Sequence, residues 1–226
     1  MNKEEIYHLL EEKMLGYLDY IEVPIQPNGE PLLPIRSEVN LKIRQIDPHM
    51  LPLTGEQIYV RQTVVEKLQH VASLLQEYDP SLILEVVYGY RSLDIQRQLF
   101  KEKKAELKDK FSGTALLEAT HKYIAVPEVA GHPTGGAVDV QLIRGQAPLD
   151  FGTKIWEFAE DSFTFSPFIK KEAWCHRQLL RRIMMSAGFA PFDGEWWHFS
   201  YGDKEWAKYY GKPCALYEQL EIVYTS

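Results

Sequence analysis

The chain has 226 residues, of which 45% are hydrophobic and 25% charged, a composition that suits one globular domain and argues against disorder. Lysine and arginine number 25 and aspartate and glutamate 32, so the formal net charge is −7. An acidic chain of this kind lacks the electrostatic footprint of a general nucleic-acid binder, so we expect no nucleic-acid partner.

The N-terminal part predicts a helix followed by a proline-rich arm. A helix is expected over residues 2–18, with Asn2 and Glu5 in a capping-box pattern. Residues 19–58 contain six prolines, which break regular structure repeatedly, and residues 39–43 are the one short candidate strand there. We expect this arm to wrap on the following domain or to line its substrate cleft.

From residue 59 onward, helices and strands are mixed without regular alternation. In chain order we expect a helix over 60–77, a strand over 82–88, helices over 93–110 and 115–125, a strand over 137–142, a helix over 168–187 closed by Gly188, a strand over 195–200, a helical turn or two over 203–210 and a strand over 216–224. The mixture predicts an α+β fold. We assign residues 59–226 to one domain and residues 1–58 to the helix and arm packed on it.

The two cysteines and the N-terminus bear on the compartment. Cys175 and Cys214 are too few for a disulfide scaffold and form no CxxC pair, so we expect reduced thiols. The N-terminal residues hold no apolar signal-peptide core, and no apolar stretch reaches membrane-spanning length. These features predict a cytoplasmic protein without a membrane partner, and they do not indicate an oligomeric state.

Two segments carry side chains suited to metal chemistry. They are GHPTGGAVD over residues 131–139 and EWWH over residues 195–198, which together supply two imidazoles and two carboxylates. A catalytic zinc takes three protein ligands from such groups and leaves a position open to water, and a further carboxylate can move the proton. On a regular strand, Glu195 and His198 would lie on opposite faces, so a bend near Gly194 is needed and the spacing leaves their roles open.

These segments resemble motifs of the zinc D,D-peptidases of the M15 type. Residues 132–139 are similar to that family's S-x-H-x-x-G-x-A-x-D motif, and residues 195–198 to its E-x-W-H motif. The double-tryptophan form is most like the D-alanyl-D-alanine dipeptidase branch, the VanX-type enzymes. Residues 88–92, YGYRS, resemble that branch's D-G-Y-R-P element, and residues 151–153, FGT, its M-G-T/S element. The similarity runs from about residue 55 to residue 205.

The resemblance implies a fold, a metal ion and residue roles. The fold is the hedgehog/D,D-peptidase-like α+β fold, with a central antiparallel sheet flanked by helices. One Zn²⁺ per chain is implied, with the ligands His132, Asp139 and His198. Glu195 is implied as the general base, and Arg91 as the residue that stabilises the oxyanion with its permanently charged guanidinium. The expected substrate-binding residues are Tyr90, Trp197 and Glu157.

The sequence departs from the family pattern at three positions. Ala130 replaces a serine, and Tyr88 replaces the aspartate of D-G-Y-R. Trp156 stands where the dipeptidase branch has an aspartate that binds the free amine of the substrate. A buried ammonium needs a paired carboxylate, and Glu157, one residue later, is the candidate replacement.

The resemblance therefore implies zinc-dependent hydrolysis of a small peptide, most simply a dipeptide such as D-Ala-D-Ala. A D,D- or L,D-carboxypeptidase on longer cell-wall peptides is an alternative that the missing aspartate favours and the EWWH form disfavours. A non-catalytic zinc-containing peptide-binding module is a further alternative. The retained Glu195 argues against the module, because a structural zinc site needs no base.

Overall fold

Helices and short strands are interspersed along the part of the chain that the computed structural model describes, residues 1–221. The helices are α1 (Lys3–Glu11), α2 (Tyr17–Tyr20), α3 (Leu51–Thr54), α4 (Gln62–Tyr78), α5 (Leu93–Leu107), α6 (Gly113–His121), α7 (Lys171–Ser186) and α8 (Lys204–Tyr209). The strands are β1 (Leu32–Pro34), β2 (Leu41–Ile43), β3 (Tyr59–Arg61), β4 (Leu82–Tyr88), β5 (Ala137–Arg144), β6 (Ala147–Pro148), β7 (Ala190–Pro191) and β8 (His198–Ser200). Short 3-10 turns cover Pro127–Val129, His132–Thr134 and Glu160–Ser162. No helix within residues 1–221 is both long and apolar enough to cross a bilayer.

The central sheet has the strand order β2-β4-β5-β8-β7, with β6 beside β5. Its pairings are antiparallel except at the edge, where β2 of the proline-rich arm runs parallel to β4. The predicted α+β fold with a central sheet and flanking helices is confirmed, with this parallel edge strand added. A second, two-stranded sheet pairs β1 with β3.

One face of the sheet is covered by α4 and α7. The apolar stripe of α4 comes from its spacing of three and four residues, and its buried members include Val64, Leu68, Val71 and Leu75. These side chains join one core cluster with residues 138, 140 and 142 of β5. The alternation predicted for β5 therefore places Asp139 on the other face of the sheet.

Four predicted elements differ from the observed ones. The N-terminal helix has the predicted capping box but ends at Glu11. A separate short helix, α2, follows Gly16. The carboxylate of Glu118 accepts hydrogen bonds from its backbone N–H groups at residues 17 and 18. The strand over 195–200 is limited to β8, because residues 193–197 form turns. Helix α6 spans Gly113–His121, whereas residues 115–125 were expected. Residues 216–221 form no strand, and the rest of that prediction, residues 222–224, lies outside the described residues.

Arg177 of α7 is fully buried and holds the loop of residues 151–163. Its guanidinium donates to the carbonyl oxygens of Phe151 at 2.8 Å, Asp161 at 2.8 Å and Phe163 at 2.7 Å, and to Thr153 Oγ1 at 3.2 Å. One side chain thereby links the two ends of the loop, which Ser162 Oγ also joins by donating to Thr153 Oγ1 at 2.9 Å.

Arg177→Met is expected to lower the free energy of unfolding by roughly 3–5 kcal/mol, since each buried acceptor left unsatisfied costs about 1–3 kcal/mol. Urea titration followed by circular dichroism measures the change. Arg182→Met, on the exposed face of the same helix, is the matched control and should change stability by less than about 1 kcal/mol. Equal effects of the two substitutions would show that the buried hydrogen bonds contribute nothing specific.

Candidate metal centre and active site

The register of the sheet aligns three functional side chains in one row. Asp139 of β5 pairs with Tyr88 of β4 on one side and with His198 of β8 on the other. Directly paired residues in antiparallel strands have neighbouring side chains on the same face. The register shift between Val86 and Tyr88 is a bulge-like irregularity, which is common beside active sites.

His132 joins this row from the 3-10 turn that leads into β5. The turn is held by Arg61, whose Nε donates to the carbonyl oxygen of Thr134 at 2.7 Å and whose backbone N–H donates to that of Gly135 at 2.9 Å. Gly135 has a φ of 75°, a left-handed conformation, and a Cβ there would meet Leu32 Cδ2 at 2.3 Å. A glycine is therefore required one residue after the turn.

His132, Asp139 and His198 converge on one point. One ligand atom from each lies within 4.8 Å of the others. Asp139 Oδ1 is 3.5 Å from His132 Nε2 and 3.1 Å from His198 Nδ1. His132 Nδ1 lies 2.8 Å from the carbonyl oxygen of Gly89, a bond that makes Nδ1 the donor and leaves Nε2 with its lone pair facing Asp139. Two imidazole nitrogens and a carboxylate oxygen are a ligand set that fits zinc.

The electrostatics of the three residues favour a cation between them. Burial opposes the ionisation of Asp139, yet His132 and His198 hold the pKa of its carboxyl far below the ordinary value. Burial lowers the pKa of His132. Burial also opposes a charge on His198, but Asp139 and Glu205 raise its pKa to about 10. A buried carboxylate that stabilises positive charge this strongly is suited to a metal ion.

Glu195 reaches the same place through a turn. The backbone N–H of His198 donates to the carbonyl oxygen of Glu195 at 3.0 Å, so the two residues close one turn instead of alternating along a strand. This turn is the bend that the sequence required near Gly194. Burial raises the pKa of Glu195 to about 7, against the opposing positive charges of His198 and Arg91.

Arg91 is held at the cavity by two side chains. Its Nε donates to the hydroxyl of Tyr88 at 2.8 Å, and its Nη1 donates to Gln96 Oε1 at 2.7 Å. Gln96 in turn donates to the carbonyl oxygen of Ala125 at 2.7 Å. Tyr88, at the position where the family pattern has an aspartate, thus supplies the acceptor that orients the guanidinium.

A cavity of about 270 Å³ opens onto the three converging residues, Glu195 and Arg91. Its wall also includes Glu205 of α8, whose Oε2 lies 3.8 Å from His198 Nε2, and whose pKa burial raises to about 8. The apolar part of the wall includes Tyr20, Leu99, Ile124, Val129, Phe158 and Phe192. The cavity therefore combines a charged end with an apolar end.

None of the three expected substrate-binding residues is among the described residues that line this cavity. Tyr90 is buried and donates its hydroxyl to the carbonyl oxygen of Leu220 at 3.0 Å. Trp197 is fully buried in the core beside Trp196. Glu157 is exposed and accepts from the backbone N–H of Lys154.

Two residues at the site could not be found from the sequence. Trp156 donates its indole N–H to Asp139 Oδ2 at 2.7 Å, whereas the sequence comparison indicated only a lost carboxylate at this position. Glu205 lies seven residues after His198, and only the placement of α8 brings it to the cavity. No spacing rule connects it to the EWWH segment.

Two comparisons with known proteins show the family of the chain. The family model Peptidase M15, described as D-ala-D-ala dipeptidase, matches residues 52–215. A curated protein of Synechocystis sp., named D-alanyl-D-alanine dipeptidase, is 32% identical over 227 residues, which covers 85% of this chain and 90% of that protein.

Solved structures of similar topology are more distant. A vancomycin-resistance D,D-pentapeptidase, VanY, in complex with Zn(II) is 18% identical, with a TM-score of 0.42 over 87% of this chain and 96% of that one. The LD-carboxypeptidase LdcB is 18% identical, with a TM-score of 0.45 over 80% of this chain and 73% of that one. Scores of this size add nothing to the assignment, which depends on the two sequence matches.

Proposed function

The chain belongs to the peptidase M15 family of D-Ala-D-Ala dipeptidases, and from this premise we propose that it cleaves D-Ala-D-Ala at a site built by His132, Asp139, His198, Glu195 and Arg91. It is a metallopeptidase that hydrolyses peptides. The observation that carries the proposal is the convergence of the His-Asp-His set with a buried glutamate and an arginine at one cavity.

Zinc is the metal that fits this set, with one ion per chain held by His132, Asp139 and His198. Zinc bound there supplies a Lewis acid that acidifies water and polarises the peptide carbonyl. Glu195, with a pKa near neutral, accepts the proton of the attacking water and passes it to the departing amine. Glu195 would have no such task in a purely structural zinc module.

Arg91 is proposed to bind the carbonyl oxygen as it gains negative charge. Tyr88 and Gln96 occupy two of its donors and so fix the plane of the guanidinium before the substrate arrives. A donor that is already oriented needs no reorganisation during the reaction, which is the main advantage of an oxyanion site. The small volume of the cavity, about 270 Å³, supports a substrate of dipeptide size.

Residues 1–58 are proposed to form one functional unit with residues 59–226. The arm supplies β2 to the central sheet, and Tyr20 and Asp47 to the cavity wall. A chain that begins at residue 59 would therefore lack part of the site.

The pH dependence of kcat/KM should show an acidic limb that reports Glu195. The base must be ionised, so activity should rise with pH through its pKa, which burial places at about 7. Positive charge from a bound metal lowers that pKa, so the observed midpoint should lie below 7. Initial rates at saturating zinc measure the profile. A profile that stays flat from about pH 5 to 8 would contradict the role of Glu195.

The test of the proposed function is amine release by the zinc-loaded protein from D-Ala-D-Ala, L-Ala-D-Ala, L-Ala-L-Ala and N-acetyl-D-Ala-D-Ala. Turnover of D-Ala-D-Ala is expected, with Glu195→Ala as the inactive control. Turnover of the acetylated peptide alone would favour the carboxypeptidase, because that substrate has no free amine. Silence across all four would reject the dipeptidase assignment.

A further inference from the structure

Trp156 lies directly against the candidate metal centre. Its indole Nε1 donates to Asp139 Oδ2 at 2.7 Å, while Asp139 Oδ1 faces both imidazoles. The two oxygens of one buried carboxylate therefore have different partners. One oxygen points to the place where a cation fits, and the other is held by a neutral donor.

The backbone at Trp156 is in an unfavourable conformation. Its φ is 62°, and no other non-glycine residue within residues 1–221 has a positive φ. A bulky side chain in the left-handed region is uncommon, and such strain persists only where the surroundings impose it. Strained residues are concentrated at functional sites, so this conformation points to a role for the position of the indole.

The surroundings that impose this conformation are well defined. Arg177 holds both ends of the loop that carries Trp156. Thr153 Oγ1, within the same loop, accepts from the indole Nε1 of Trp196 at 2.9 Å. The ring of Tyr88 meets that of Trp156 edge-on, with centroids 5.5 Å apart. The indole is thus fixed from the loop side and from the sheet side.

We propose that Trp156 is a positioning residue that orients the carboxylate of Asp139 for metal binding. This inference depends on the proposed zinc site. A carboxylate ligand can rotate about its last torsion, and a hydrogen bond to the oxygen that does not ligate removes that freedom. The indole N–H also satisfies a buried acceptor without adding a charge that would compete with the metal.

The test is the zinc affinity of Trp156→Phe, measured without substrate by competition with a chromophoric chelator. Loss of an outer hydrogen-bond partner typically weakens metal binding by about 10–100-fold, and that range is expected here. Trp206→Phe is the matched control, because it removes an indole that donates to the carbonyl oxygen of Gly188 instead. The control should bind zinc within about twofold of the wild type.

A second variant separates positioning from packing. Trp156→Gln lacks the ring but keeps an N–H donor at the same number of bonds from Cα. The proposal expects it to bind zinc more tightly than Trp156→Phe, although it packs less well. Equal affinities of the two variants, or a loss in Trp156→Phe that merely follows the fall in thermal stability of the metal-free protein, would overturn the proposal.

Failure of the zinc site itself gives a different result. If His198→Ala binds zinc as tightly as the wild type, the site is wrongly placed, and the inference falls with the proposed function. If His198→Ala is impaired and Trp156→Phe is not, the zinc site stands and the positioning role of Trp156 is refuted.

Discussion

Replacing Glu195 with glutamine is expected to reduce turnover by about 10²–10⁴-fold, the range found for loss of a general base. Glutamine has nearly the same shape but cannot accept a proton, so the cavity and the three proposed ligands should stay in place. Burial already gives this carboxyl a pKa of about 7, suited to accepting and returning a proton near neutral pH. The measurement is kcat for D-Ala-D-Ala at a zinc concentration that saturates both proteins.

Glu77→Gln is the control for this experiment. It makes the same chemical change on an exposed side chain outside the cavity lining, and turnover should be retained. Zinc content of Glu195→Gln must equal that of the wild type, since the glutamate is not a proposed ligand. Undiminished turnover would remove Glu195 from the proposed mechanism. Loss of zinc together with turnover would make it a ligand instead of a base.

His198→Ala is expected to weaken zinc binding by more than roughly 100-fold, because it removes a ligand. Loss of a residue that only hydrogen-bonds to a ligand typically costs about 10–100-fold. The substitution should also abolish turnover. His198 contributes a nitrogen 3.1 Å from Asp139 Oδ1. Among the described residues, the converging set contains no other histidine or carboxylate that could replace it. Chelator competition gives the affinity and metal analysis gives the stoichiometry.

His70→Ala is the matched control for this substitution. His70 lies on the exposed face of α4, and its loss should leave zinc binding unchanged. Equal zinc affinity in wild type and His198→Ala would refute the proposed ligand set. A fall in both variants would indicate nonspecific binding to histidines at the surface.

The sequence predicted the centre of the fold well and its periphery less well. The strand at Leu82–Tyr88 and the buried core strand that begins at Ala137 were confirmed, because continuous apolar runs and strict alternation are strong local signals. The predicted N-terminal helix is interrupted, because a contact with Glu118, 101 residues after Tyr17, decides where α2 begins. A contact at that separation leaves no local trace.

Within the site, motif residues were predictable and side-chain directions were not. His132, Asp139 and His198 stand in short motifs, so their convergence could be anticipated from the resemblance. Tyr90 was expected among the substrate-binding residues, yet its side chain is buried and its hydroxyl donates to the carbonyl oxygen of Leu220. The geometry of Trp156 depends on a left-handed backbone that no propensity scale favours for tryptophan.

The hydrogen bonds of Arg61 have a consequence for the order of folding. This one guanidinium donates to carbonyl oxygens of Glu30, Thr134 and Glu218, which are 31, 73 and 157 residues away along the chain. Closing loops of such length is slow, because entropy is lost before contacts compensate for it. The turn that carries His132 should therefore reach its final shape late, after the core around α4 has formed. On a ribosome, the set of three hydrogen bonds made by this guanidinium could be completed only after Glu218 has emerged.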